Sequence, residues 1–432
     1  MSINFVPTGL ERLFAKVETS FGNIQSAFPT ATDAVGDLLS FSPPSFDQKE
    51  IVSLAKGTDR GHQHHAYGHY EGGEWSLNKR FRLAAGAAAP DSGVLLESLI
   101  GLHTTGAYTI ADLTYAPKSC SLYHVCFYGP DAASGSDGTA LGLYANMIGG
   151  ALVQKWVLKG KVGEYMTEEF SGVCAGVGHV GRDRVNTEVA AGGTSVVLKD
   201  NAGSIWGMGD HLNSTTKIGV ITNGAETQDI ALVESYVHID KTATIQRNYL
   251  SSTGVIWEAS NIIYPYCPSE TLTGSPVVFN LATVTLGDGT GYGTGDGTIT
   301  DQRVDSLELT IESDQGVIPA HGAQTATWPK QAKPGRLKVS GKCEMLLQVS
   351  DDDKLLNSLA LIGDVWQKDD FAISIVVSDC SNKVTIALAQ ATGKITIPQL
   401  SENFDEVLVS LEFTGWCSSS ENDSVTVTFA AA

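Results

Sequence analysis

Apolar and polar residues alternate along much of this chain. Residues 306–312 read S-L-E-L-T-I-E, with Leu307, Leu309 and Ile311 on one face and Glu308, Thr310 and Glu312 on the other. Residues 406–413 set Val407, Val409, Leu411 and Phe413 on one face, and 424–429 (S-V-T-V-T-F) repeat the pattern. A period of two marks a strand buried on one side, as in antiparallel sheets. Strands are predicted over 75–83 and 336–349 as well. Two segments predict short helices. Asp91 is placed to N-cap G-V-L-L-E-S-L-I, ended by Gly101; Ser350 is placed to cap a helix through three aspartates into L-L-N-S-L-A-L-I, ended by Gly363.

Parts of the chain recur. Leu95-Leu96-Glu97-Ser98-Leu99 matches Leu355-Leu356-Asn357-Ser358-Leu359, and each follows a predicted strand. Further on, Glu169-Phe170-Ser171-Gly172-Val173-Cys174 matches Glu412-Phe413-Thr414-Gly415-Trp416-Cys417. The matches keep the same order, so an internal duplication is expected. The predicted class is all-β with a few short helices. Two similar β-rich domains, 1–180 and 251–432, flank a small inserted β lobe at 181–250.

Composition fits that class. Charged residues are 18% of the 432, below the usual quarter, and glycine is frequent at 46, as sheets joined by many turns require. The net charge is −20 and no run of Lys and Arg exceeds two, which argues against a surface that grips phosphates. The N-terminal residues carry Glu11, Arg12 and Lys16 without an apolar core, so no signal peptide is expected. The apolar stretch 140–154 is shorter than the roughly 20 residues a spanning helix needs. Seven cysteines without a Cys-x-x-Cys pair are expected to be reduced thiols of a chain folded in a cytoplasm.

Few motifs carry chemistry. The segment 176–181 fits G-x-G-x-x-G, but the apolar helix a dinucleotide site needs does not follow, so a loop is the favoured reading. His62, His64, His65 and His69 crowd one glycine-flanked segment and could hold Zn²⁺ or Ni²⁺; a solvated loop or a subunit contact is favoured over a metal site. The Gly/Asp stretch 287–297 lacks the register of calcium-binding repeats and reads as a hairpin tip. Nucleophile-elbow, zinc-protease and P-loop signatures are missing. Nothing nominates a catalytic residue.

The segments G-L-E-R-L-F-A-K-V-E-T-S-F-G (9–22), E-G-G-E-W-S-L-N-K-R-F-R-L (71–83) and A-P-D-S-G-V-L-L-E-S-L-I-G (89–101) resemble the tail tube proteins of tailed bacteriophages. R-V-D-S-L-E-L-T-I-E-S (303–313) and P-G-R-L-K-V-S-G-K (334–342) extend the resemblance to the second half, to the kind with two tube domains per chain. It implies β-sandwich or β-barrel domains with a flanking helix and a virion tail location. Three duplicated chains would form each pseudo-six-fold ring, and stacked rings would make a conduit for DNA. It implies no enzymatic activity and no cofactor. The partners implied are other copies, other tail proteins (terminator, baseplate or tip, tape measure, sheath) and passing DNA, with no membrane insertion.

Two other readings stay open: a virion adhesin stacking surface sugars on Trp206, Tyr236, Trp257 and Tyr264, and a metal-dependent enzyme using the histidine segment. On the tube reading, Glu308, Thr310 and Glu312 either line the channel as a negative ring or face outward. Segments 29–47 and 286–303 are expected to be mobile until rings stack.

Overall fold

The computed structural model of the chain describes residues 11–25, 27–45, 48–53, 64–70, 72–110, 117–127, 142–199, 216–221, 228–237, 239–246, 255–287, 299–318, 331–346, 371–379, 381–396, 408–416 and 425–432. Strand predominates and there is one α-helix among them, so the fold is all-β. No helix there is long and apolar enough to cross a membrane.

Fourteen strands carry the architecture, seven from each half of the chain. The first seven are β1 (Glu11–Val17), β2 (Leu38–Ser42), β3 (Gly73–Arg80), β4 (Cys120–Phe127), β5 (Gly142–Lys161), β6 (Thr167–Cys174) and β7 (Gly176–Val180). The second seven are β8 (Leu281–Gly287), β9 (Ile299–Ser313), β10 (Leu337–Leu346), β11 (Phe371–Ser378), β12 (Asn382–Thr396), β13 (Leu408–Trp416) and β14 (Thr426–Ala431).

Six pairings recur in both halves, and every one is antiparallel; β8 additionally pairs β9 in the second half. In the first, β1 pairs β4, β4 pairs β5, β5 pairs β6 and β7, β6 pairs β3, and β3 pairs β2. In the second, β8 pairs β11, β11 pairs β12, β12 pairs β13 and β14, β13 pairs β10, and β10 pairs β9. The matched segments lie at the C-terminal ends of β6 and β13, Cys417 falling outside the described residues, so the duplication read in sequence is a duplication of topology. The second copy of the helix match, at 355–359, lies outside the described residues.

The halves join through one ladder. β5 pairs β9 from Lys155↔Glu312 to Lys161↔Ser306. The result is an antiparallel ribbon of eight strands in the order β2-β3-β6-β5-β9-β10-β13-β12. Its apolar face is the core: Trp75, Leu77, Trp156, Leu158, Phe170, Leu307, Leu309, Ile311, Val339 and Phe413 are buried there. Alternation made this face: Trp75 and Leu77, Trp156 and Leu158, and Leu307, Leu309 and Ile311 each recur two positions apart on one strand. Gly341 is required by the packing, because a Cβ would meet the Phe413 ring at 2.3 Å.

The helix α1 (Gly93–Ile100) lies against β5 and buries Leu95, Leu96, Leu99 and Ile100. Gly101 ends it at φ 113°. Beneath it β5 has a bulge between Val153 and Lys155. The Val153 N–H donates to Ser98 Oγ at 3.2 Å, and its carbonyl accepts from Gln315 Nε2, so the irregular backbone is satisfied by side chains.

Asp91 does not cap this helix; Ser92 holds that position without a side-chain cap bond. The Asp91 carboxylate accepts instead from Lys79 Nζ and from Gly36 N, both at 3.0 Å. Lys79 also donates to Glu168 at 2.9 Å, and Glu168 accepts from Trp156 Nε1 at 3.2 Å. Lys79 and Glu168 are fully buried. Burial pulls the Lys79 ammonium down, but the charges of Glu168 and Asp91 outweigh it and hold its pKa above the ordinary value. Arg82 pairs with Asp37 and donates to Thr273 and Gly274 carbonyls. Lys79 and Arg82 thus fix Gly36 and Asp37, the residues that lead into β2. Where it is described, the segment 29–47 is tied into the sheets. Ala34–Val35 pairs with β1, β2 pairs with β3, and these buried polar contacts hold the link between them. Residues 288–298, between the paired strands β8 and β9, lie outside the described residues.

A second sheet has six short strands in the order Asp183–Arg184, Ile262–Pro265, Thr216–Ile221, Gln228–Val237, Thr242–Gln246 and Ser195–Val197. It packs with β1, β4 and β7 around Val196, Ile218, Val220, Ile245 and Trp257. Five of these strands fall within the stretch 181–250 expected as an inserted lobe, and Ile262–Pro265 lies beyond it.

Candidate functional site: the polar face and edges of the ribbon

The outward face of the ribbon carries mostly polar side chains, in rows that run across its strands. One row runs Ser40, Asn78, Glu169, Val157, Thr310, Ser340, Thr414, Thr392, each directly opposite the next. A groove lies over this face in each half. One is lined by Glu308, Thr310, Ser340, Lys342, Glu412 and Thr414 among others, its counterpart by Ser40, Ser76, Asn78, Glu169 and Ser171. Through the pairings these are equivalent positions, so the duplication extends to the surface.

Glu308 is exposed and Thr310 and Glu312 are half-buried, all on the polar face, with Leu307, Leu309 and Ile311 in the core as predicted. The expected ring of uncompensated negative charge needs correction. Glu308 sits between Lys159 on β5 and Lys342 on β10 in the ladder. Glu312 pairs with Lys155 at 2.9 Å and faces Lys338 on its other side. Glu169 pairs with Lys159 at 3.0 Å, and Glu412 lies opposite Lys342. Lysine and glutamate alternate across the strands, so the face is close to charge balance although the chain is strongly acidic. The sequence held the signal: K-W-V-L-K-G-K (155–161) and L-K-V-S-G-K (337–342) put their lysines on one side at even spacing. Reading only for runs of basic residues missed it, because period two separates same-face charges by an intervening core residue.

Other nominated residues fall elsewhere. His64, His65 and His69 lie on the strand His64–Tyr70, which pairs with Gln48–Ser53, so the favoured loop is a hairpin strand; His62 lies outside the described residues. Gly176–Val180 is β7, a strand where a loop was expected, and no helix follows it. Trp206 lies outside the described residues. Trp257 and Tyr264 are buried, and Trp257 Nε1 donates to Asp229 at 2.7 Å. Tyr236 is half-buried at the margin of the same core. Trp257 and Tyr264 fill the lobe's interior and offer no exposed ring for stacking.

Among the described residues, one cluster offers three metal-ligating atoms: Glu11, His124 and Cys126, with the atoms within 4.8 Å of one another. It has an explanation in hydrogen bonding. His124 Nε2 meets Glu11 at 3.1 Å and its Nδ1 meets Asn146 Nδ2 at 3.3 Å, the pattern of a neutral ring that donates on one side and accepts on the other. Burial lowers the His124 pKa against the pull of Glu11, and burial alone lowers that of His179. A histidine depressed in the fold contributes stability at high pH that is lost as pH falls through its unfolded value of 6.5. Stability should therefore drop as pH falls below about 6.5, and replacing His124 and His179 with Gln should flatten that part of a pH–melting curve. An unchanged slope would count against it. The thiol of Cys126 is pushed up to about 11, mainly by burial and next by Glu11.

Compared with models of known families the chain matches none, and a search of curated proteins likewise finds no match.

Proposed function

We propose that the chain is a tail tube subunit of a tailed bacteriophage, three copies of which close a pseudo-six-fold ring, with stacked rings forming a conduit for DNA. The observation that carries the reading is the ribbon: two topologically identical four-stranded halves joined edge to edge by β5–β9, with β2 at one end and the C-terminal part of β12 at the other pairing no further strand among the described residues. A joint that already links one half to a second like it is a heterologous contact, and such contacts generate rings when the rotation closes. Three ribbons make a 24-stranded barrel. With strands about 4.8 Å apart, its backbone circumference gives a diameter of at least about 37 Å, ample for a duplex. The charge-paired polar face then lines the channel, offering DNA neither a basic grip nor a strong repulsion. Partner tail proteins would meet the ends of such a tube.

Negative-stain electron microscopy of the purified chain tests this. Hollow rings or filaments are the expected result. Discrete particles without a central channel, at every concentration tried, would overturn it.

A further inference from the structure

We propose that the C-terminal part of β12 pairs antiparallel with β2 of a second copy, in the register that β5 already uses with β9. The inference rests on the ring-forming reading above and names the seam.

The topology supplies the template. On β5, the segment 142–151 pairs β4 on one side, and 155–161 on that same side pairs β9. Its counterpart β12 pairs β11 only as far as Ala391. Beyond it, Gly393–Thr396 pairs β13 on one side and, among the described residues, has no strand on the other. The counterpart of β9 is β2, which among the described residues pairs β3 alone. The two unmatched edges are thus the two halves of the joint that β5 and β9 make inside the chain.

The register follows from the shared partners. Ser40 lies opposite Asn78 as Glu308 lies opposite Lys342, and Asn78 and Lys342 face Glu169 and Glu412 of the matched hexapeptides. Glu169 and Glu412 in turn face Val157 and Lys394. Transferring Lys159↔Glu308, Leu158↔Leu309 and Val157↔Thr310 gives Thr396↔Ser40, Ile395↔Phe41 and Lys394↔Ser42 across the seam.

β2 has the character of a strand meant to be covered. Its sequence, Leu-Leu-Ser-Phe-Ser, carries none of the charges that guard free edges. Leu39 is half-exposed, and Ser40 and Ser42 are exposed. Pro43 and Pro44 follow and lack an N–H, so the ladder ends there and slippage past Ser42 is blocked.

Cysteine cross-linking of the full chain tests the seam. Directly opposed residues have Cα atoms about 4.5–5.5 Å apart, within disulfide reach, whereas diagonal neighbours at about 7–8 Å are not. Ser40→Cys with Thr396→Cys, and separately Ser42→Cys with Lys394→Cys, should convert most of the assembled protein into covalent trimers on oxidation, read on a non-reducing gel. The single variants and the shifted pair Ser42→Cys with Thr396→Cys should not. Rings that form normally yet stay uncross-linked in both matched pairs would overturn the seam while leaving the tube reading intact. Equal cross-linking of the shifted pair would overturn the register. Loss of assembly on changing Ser40 or Ser42 alone, with melting unchanged, would support the seam. A parent chain that stays monomeric would overturn seam and ring together.

Discussion

Lys79→Met is expected to cost the fold about 3–5 kcal/mol, the penalty for removing one partner of a buried ionic group. Lys79 and Glu168 have no exposed side-chain surface and Asp91 almost none. Without the ammonium, two carboxylates face each other in the interior, and Glu168 keeps only its indole donor of the bonds described above. Burial already pushes the Glu168 carboxyl upward against the attraction of Lys79, so the variant should take up a proton there. Replacing Glu168 as well, in Lys79→Met with Glu168→Leu, should recover part of the loss. Thermal and denaturant melts check both. A single variant within about 0.5 kcal/mol of the parent, the range of ordinary surface changes, would contradict this account of the core. Because the network also fixes the approach to β2, weakened assembly should accompany weakened melting.

On the proposed tube reading, Glu308→Lys with Glu312→Lys should leave the fold standing but change how assembled tubes treat DNA. The pair Lys155–Glu312 is about half-exposed, and pairs of that kind are worth about 1 kcal/mol or less. The substitutions place new lysines beside Lys159, Lys342, Lys155 and Lys338, turning a balanced face into a basic one. Six to ten phosphate contacts of that sort give binding that falls about 10³- to 10⁵-fold between about 50 and 200 mM salt. Duplex fragments should co-sediment with variant tubes at low salt, release at higher salt, and pass over parent tubes. Intact tubes that ignore DNA at every salt concentration would place this face outside the channel.

Much of the fold was legible in the pattern of the chain. Leu307, Leu309 and Ile311 alternate because one face of β9 is core, and the helix ended by Gly101 is where its apolar spacing placed it. The match between 169–174 and 412–417 marked the central strands of the two halves. What stayed illegible depends on partners distant in sequence. Lys79 follows Trp75 and Leu77 on the inward face, but only the fold shows that Glu168 and Asp91 meet it. Asp91 carries the residue type of a helix cap, and long-range contacts with β3 and Gly36 took it instead. The charge pairing around Glu308 and Glu312 arises between strands, so no single strand reveals it. The lobe's aromatics could be read as platform or core, and burial decides for core at Trp257 and Tyr264.

The central claim is that one chain supplies two of six equivalent ring positions. Counting the chains in a single ring, by native mass spectrometry of rings released from assembled tubes with the symmetry read from electron microscopy, tests it most directly. Three copies with pseudo-six-fold density are the predicted result. Six copies around one ring would contradict it, because the second seven-stranded half would then lie outside the wall.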